Sequence, residues 1–159
     1  MKSASLQEVK KELHLLPPKE LVELCLALAK YKRDNKEYLS YLMFEANDKE
    51  QFVYDVKALI DEHFVELQKQ KNLYYVKKGL RKLLRLLNKY NKFMDDKGWS
   101  ADLHIYFCSK MKHSGIPYHK NKLLVNLYAQ QLKKINSLIA ALHEDLRYDY
   151  LQKLEQIRE

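Results

Sequence analysis

Apolar residues recur along most of this chain at intervals of three and four, the spacing that gathers side chains on one face of an α-helix. Leu6, Val9, Leu13 and Leu16 form the first stripe, with Ser3 or Ser5 available as its N-cap. Pro17 and Pro18 interrupt it. Proline is tolerated in a first helical turn, so a second helix starts there and turns Leu21, Leu24, Cys25 and Leu28 inward. These two helices are expected to form a hairpin.

Asp34 is placed to cap a third helix carrying Tyr38, Leu39, Leu42 and Met43. Asn47 or Asp48 is placed to cap a fourth, with Phe52, Val56, Leu59, Ile60, Phe64 and Leu67 at helical spacing. From about Leu73 to Met94, the positions Val76, Leu80, Leu83, Leu84, Leu87 and Tyr90 predict a fifth helix that tolerates Gly79 at a cost of about 1 kcal/mol against alanine. Gly98 ends or separates it, and Ser100 is the expected N-cap of a sixth helix containing Leu103, Tyr106, Phe107 and Met111. The turn signals of HSGIPYHK, with Gly115 and Pro117, stop that helix. Beyond them the stripe from Leu123 through Leu127, Leu132, Ile135, Leu138, Ile139 and Leu142 to Leu146 reads as one long helix, or as two with a break near Glu144 or Asp145.

The expectation is an all-α fold of seven or eight helices in a single domain, residues 1–159, arranged as a compact helical-hairpin bundle or a short HEAT-like solenoid. Three glycines and three prolines in 159 residues, with 47% hydrophobic and 31% charged positions, argue against disorder and against a turn-rich β fold. No run approaches the roughly 18 uncharged apolar residues of a membrane span, and the first residues lack the apolar block of a signal peptide. A cytoplasmic protein without integral membrane association is expected.

Residues 16–42, LPPKELVELCLALAKYKRDNKEYLSYL, resemble the opening of a family of small all-helical bacterial proteins of unknown function. The resemblance lies in the Leu16, Pro17 and Glu20 helix start, the Leu21, Leu24 and Leu28 stripe, and the Lys36, Glu37, Tyr38, Leu39 segment. It covers under a fifth of the chain, implies a helical fold, and carries no activity or functional residue with it.

The side chains present supply no recognisable catalytic motif. Gly79, Gly98 and Gly115 are too far apart for a phosphate-cradling loop, and no Glu-x-x-His of a di-iron bundle occurs. Cys108, His113 and His119 are the best metal constellation, set against the simpler reading of a buried thiol and two exposed turn histidines. Cys108 with His104 four residues earlier is the best nucleophile–base pair, but no orienting third group accompanies it. Neither cofactor nor metal is expected, and Cys25 and Cys108 read as small core hydrophobes.

Charge changes this picture. Residues 1–66 hold 10 basic and 13 acidic side chains, residues 67–134 hold 16 and 3, and residues 135–159 hold 3 and 5, so a net +8 conceals a middle segment of +13. Between Leu67 and Met94 there are nine cations and no Asp or Glu. At roughly 100° per residue, Lys78, Arg81, Lys82, Arg85, Lys89 and Lys92 share one sector of the fifth helix, opposite Leu80, Leu83 and Leu87.

These six are the candidate site, for an acidic protein surface or for nucleic acid, with Tyr74, Tyr75 or Tyr118 as possible stacking partners for bases. The competing reading is internal neutralisation by Asp48, Glu50, Asp55, Asp61, Glu62 and Glu66 of the preceding helix. The functional expectation is a non-catalytic helical interaction module or scaffold, compatible with homo-oligomerisation. The alternative is sequence-nonspecific binding of nucleic acid or another polyanion through residues 73–94, and an enzyme stands third.

Overall fold

A computed structural model describes residues 3–158 as eight α-helices. The chain divides into two compact units, residues 1–45 and 46–159.

The first unit holds α1 (Leu6–Leu15), α2 (Pro18–Tyr31) and α3 (Arg33–Ser40), which runs into a π-helical turn at Tyr41–Glu45. Ser5 caps α1 in a full capping box. Its hydroxyl accepts from the Glu8 amide at 3.3 Å, while the Glu8 carboxylate accepts from the Ser5 amide at 2.7 Å. The Ser5 hydroxyl, which donates to the Glu8 carboxylate at 2.7 Å, and then the Ser5 amide hold that carboxyl below the usual carboxylate range. The α2 start matches the proline argument, but α3 begins at Arg33, so Asp34 lies inside its first turn and does not cap it. α2 packs on α3, and the Asn35 amide donates to the Leu28 carbonyl at 2.9 Å.

The inward stripe expected of α2 is not buried: Leu24, Cys25 and Leu28 are exposed and Leu21 is half-buried. Helical spacing identifies an apolar face, not what covers it, and a helix paired with one neighbour covers only a strip. Tyr41 is the one buried side chain of this unit among the described residues.

The second unit holds α4 (Lys49–Gln68), α5 (Leu73–Met94), α6 (Lys97–His113), α7 (Lys122–Ala140) and α8 (Glu144–Arg158), with a 3₁₀ turn at Tyr118–Lys120. α6 is its axis and packs against α4, α5, α7 and α8. Residues 100–105 are all buried, as are Phe107, Cys108 and Met111. A helix apolar on nearly every side is stable only inside a shell of other helices. α4 offers Phe52, Val56, Ile60, Phe64 and Leu67 to the core, and α5 offers Val76, Leu80, Leu83, Leu84 and Leu87. Phe64 meets Phe107 with ring centroids 5.7 Å apart. Tyr128 of α7 donates its hydroxyl to the Ile157 carbonyl at 2.6 Å, pinning the end of α8.

Two local readings are corrected. Ser100 does not cap α6; it is buried within the helix, and Asp96 caps it by accepting from the amides of Gly98 and Trp99. Asp95 makes the turn between α5 and α6 with φ of 46°, the left-handed region that Asp adopts more readily than most residues. Gly79 also has a packing reason: a Cβ there would run into the Leu67 side chain, so glycine lets α4 approach α5 closely.

This core predicts an uneven mutational response. Leu83, fully buried on α5, should lose about 2–5 kcal/mol of stability as Leu83→Ala through lost burial and a cavity. Leu28, 55% exposed on α2, should change stability by no more than about 0.5 kcal/mol as Leu28→Ala. Denaturant unfolding of both variants checks the contrast, and equal effects would refute it.

Candidate polyanion-binding surface

α5 carries the candidate residues, and the packing of its apolar stripe decides where they point. Because Leu80, Leu83 and Leu87 are fully buried, the sector opposite them faces solvent. Lys78, Arg81, Lys82, Arg85 and Lys92 are exposed. Lys89 is half-buried, with its ammonium 6.0 Å from the Tyr90 ring centroid. Among the described residues, no carboxylate pairs with Lys78, Arg81, Lys82, Arg85 or Lys92.

Four of the six acids in and before α4 that could neutralise this face are engaged elsewhere. Asp48 caps its own helix, Asp55 accepts from Gln51, and Glu66 pairs with Lys69 at 2.6 Å. Asp61 turns to α6, where it accepts from the Tyr106 hydroxyl at 2.9 Å and pairs with Lys110 at 2.8 Å. Burial and the Asp61 bond raise the Tyr106 pKa, and the same carboxylate raises that of Lys110. Among the described residues, no ion pair joins the α4 acids to those five α5 cations.

The basic face borders a groove of about 350 Å³ between α5 and α7. Arg81, Arg85 and Asn88 line one wall, and Asn126 and Gln130 the other, over Leu84, Leu123 and Leu127. Neither Asn126 nor Gln130 was legible as a site residue, because uncharged amides on an exposed helical face carry no charge or motif signal. Lys134 crosses from α7 to donate to the Asn88 amide oxygen, and its half-buried position lowers its pKa.

Of the possible stacking residues, Tyr74 and Tyr75 at the start of α5 are exposed and meet edge to face at 5.4 Å. Tyr118 is half-buried and stacks on Tyr128 at 5.1 Å.

The remaining candidate chemistry is dispersed. Cys108, His113 and His119 form no cluster, since no group of three His, Cys, Asp or Glu side chains could hold a metal among the described residues. Burial pushes the Cys108 thiol up to about 12, which disfavours the thiolate that nucleophilic attack or metal ligation needs. Cys25, by contrast, is exposed.

A second groove, of about 440 Å³ between α6 and α8, is lined by Asp102, Ser109 and His113, but Asp102 and His113 stand about 16 Å apart along α6. Asp102 is paired with Lys57 at 2.5 Å and Lys153 at 3.3 Å, and His113 Nδ1 bonds the Ser109 backbone carbonyl at 2.8 Å. No carboxylate–imidazole relay forms there.

His104 is fully buried in α6, where its Nε2 accepts from the Asn91 amide at 2.9 Å. Burial first, then the charge of Lys134, lowers its pKa to about 4 against an opposing pull from Gln131. His104 Nδ1, Asn91 Oδ1 and Gln131 Oε1 are buried with no hydrogen-bond partner, three unsatisfied polar atoms in the core.

Two predictions follow from these burials. In the unfolded chain His104 binds a proton near pH 6.5 but in the folded chain only near pH 4, so the unfolded state holds more protons between those values. Stability is therefore intact above about pH 6.5 and falls with pH, by about 3 kcal/mol in this group's contribution at pH 4. Denaturant titrations across that range should show the loss, and His104→Gln should flatten it. A thiol reagent should modify Cys25 in the native protein and reach Cys108 only on unfolding; rapid native labelling of both would contradict the burial of α6. No family model, curated protein or solved structure matches the chain, so the functional reading rests on the geometry of these residues.

Proposed function

We propose that this protein is a non-catalytic helical module that binds an anionic polymer through the exposed face of α5. One observation carries the reading: five cations within one helical sector are exposed and unpaired among the described residues, while the leucines opposite them are buried. An ordered row of unneutralised charge costs self-repulsion, which an anionic partner relieves by releasing its own condensed counterions. The face holds lysine and arginine without a contiguous apolar stripe, which suits phosphates better than a lipid surface, where apolar side chains would have to insert.

Binding should weaken steeply with salt, because each duplex phosphate neutralised contributes about 0.9 to the log-log slope. Five contacts would give a slope of at most about 4.5. Replacing Lys78, Lys82 and Lys92 with glutamine removes three charges at similar helix propensity and should reduce the slope by about 2 to 3. Fluorescence anisotropy with duplex DNA across a salt series measures this. Absence of binding at low salt, or an unchanged slope in the folded triple variant, would overturn the reading. Selective binding of an acidic polypeptide would redirect it to an acidic protein partner.

A further inference from the structure

We infer that the groove between α5 and α7 holds one nucleotide of a single strand, its phosphate on Arg81 and Arg85 and its base edge on Asn126 and Gln130. The inference rests on the polyanion reading and assigns it a specific seat.

Of the five exposed and unpaired cations, both arginines line the groove and the three lysines do not. Arginine presents a planar fork that grips phosphate oxygens in pairs, whereas lysine acts as a mobile point charge. Arg81 and Arg85 are four residues apart, so their side chains are neighbours on one helical face.

The other polar residues lining the groove are amides, with no carboxylate to repel an anion. Lys134 occupies the Asn88 oxygen, which leaves the amide hydrogens of Asn88 as its donating end. On the opposite wall, Asn126 and Gln130 each offer a donor and an acceptor, the combination that pairs with a base edge. Leu84, Leu123 and Leu127 give the floor an apolar surface for the flat face of a base.

Size separates the candidate ligands. At about 350 Å³ the groove lies at the lower end of small-ligand pockets, which suits a single nucleotide. A base within a duplex has its pairing edge occupied and is stacked on both faces, so it cannot enter without being flipped out. Tyr74 adds a platform: at 100° per residue it shares the helical side of Arg81 and Arg85, it is exposed, and it lies about 10 Å from Arg81 along the axis. A neighbouring base of the same strand can stack there.

The test uses an oligodeoxynucleotide of about 20 nucleotides, free and annealed to its complement, at matched salt, with poly-glutamate as a third probe. The single strand should bind about tenfold or more tightly than the duplex. Asn126→Ala with Gln130→Ala, both exposed positions, should remove most of that preference while leaving duplex binding unchanged. Arg81→Lys with Arg85→Lys keeps the charge and the salt slope but should also reduce the preference, so the result does not depend on a single variant. Equal affinity for single strand and duplex, unaltered by either double variant, would overturn the groove assignment and leave the surface reading standing. Tighter binding of poly-glutamate than of either nucleic acid would overturn the nucleotide assignment in favour of an acidic peptide. No binding of any probe at low salt would overturn both.

Discussion

Burial of α6 is the constraint on which the larger unit depends. A helix with residues 100–105 buried in succession cannot lie on a surface, so α4, α5, α7 and α8 must each present an apolar face to it. The polar groups that α6 carries inward are met selectively. Asp102 is held between Lys57 and Lys153, which ties α4 and α8 to the axis through one carboxylate. His104 receives one hydrogen bond from Asn91 and remains neutral because burial and Lys134 both oppose its protonation. The core thus tolerates an imidazole but opposes an imidazolium, which gives acid a specific point of attack.

The exposed basic surface follows from the same constraint. α5 commits Val76, Leu80, Leu83, Leu84 and Leu87 to the core, and a helix with its apolar stripe fixed has no freedom to rotate its cations inward. α4 turns charged side chains toward α6 instead, pairing Asp61 with Lys110 and Lys57 with Asp102. Charge that a linear count places next to an acidic helix is separated from it by the direction in which each helix must face. The neutralisation reading weighs composition, whereas orientation is set by the apolar pattern.

Much of the architecture is legible in that pattern where it is long and regular. The span Leu73–Met94 agrees with the expected bounds, since the periodicity of α5 is uninterrupted, although Asn72 and Asp95, not Gly98, mark its ends. The junction with α6 is less legible because Asp96, Gly98 and Ser100 are three plausible boundary residues within five positions, and only geometry shows the Asp96 carboxylate reaching two amides. The α2 stripe shows the converse failure, an apolar face correctly identified and left exposed. In the candidate site the cations were legible from charge alone. The second wall was not, because Asn126 and Gln130 lie more than forty residues from Arg81 in sequence and approach it only after both helices dock on α6.

Lys134 connects the surface to the core. Its half-buried ammonium bonds Asn88 of the groove wall, desolvation lowers its pKa, and the same charge helps to keep His104 neutral. A partly desolvated charge is screened by salt less than the exposed lysines of α5, so its field persists where theirs fades. A negative group seated near Arg81 and Arg85 would offset the desolvation of Lys134 and favour its charged form. One cation, Lys134, therefore adds both to the cost of protonating His104 and to the positive field of the α5 arginines. An anion in the groove and a neutral imidazole in the core are therefore compatible states of the same helix packing.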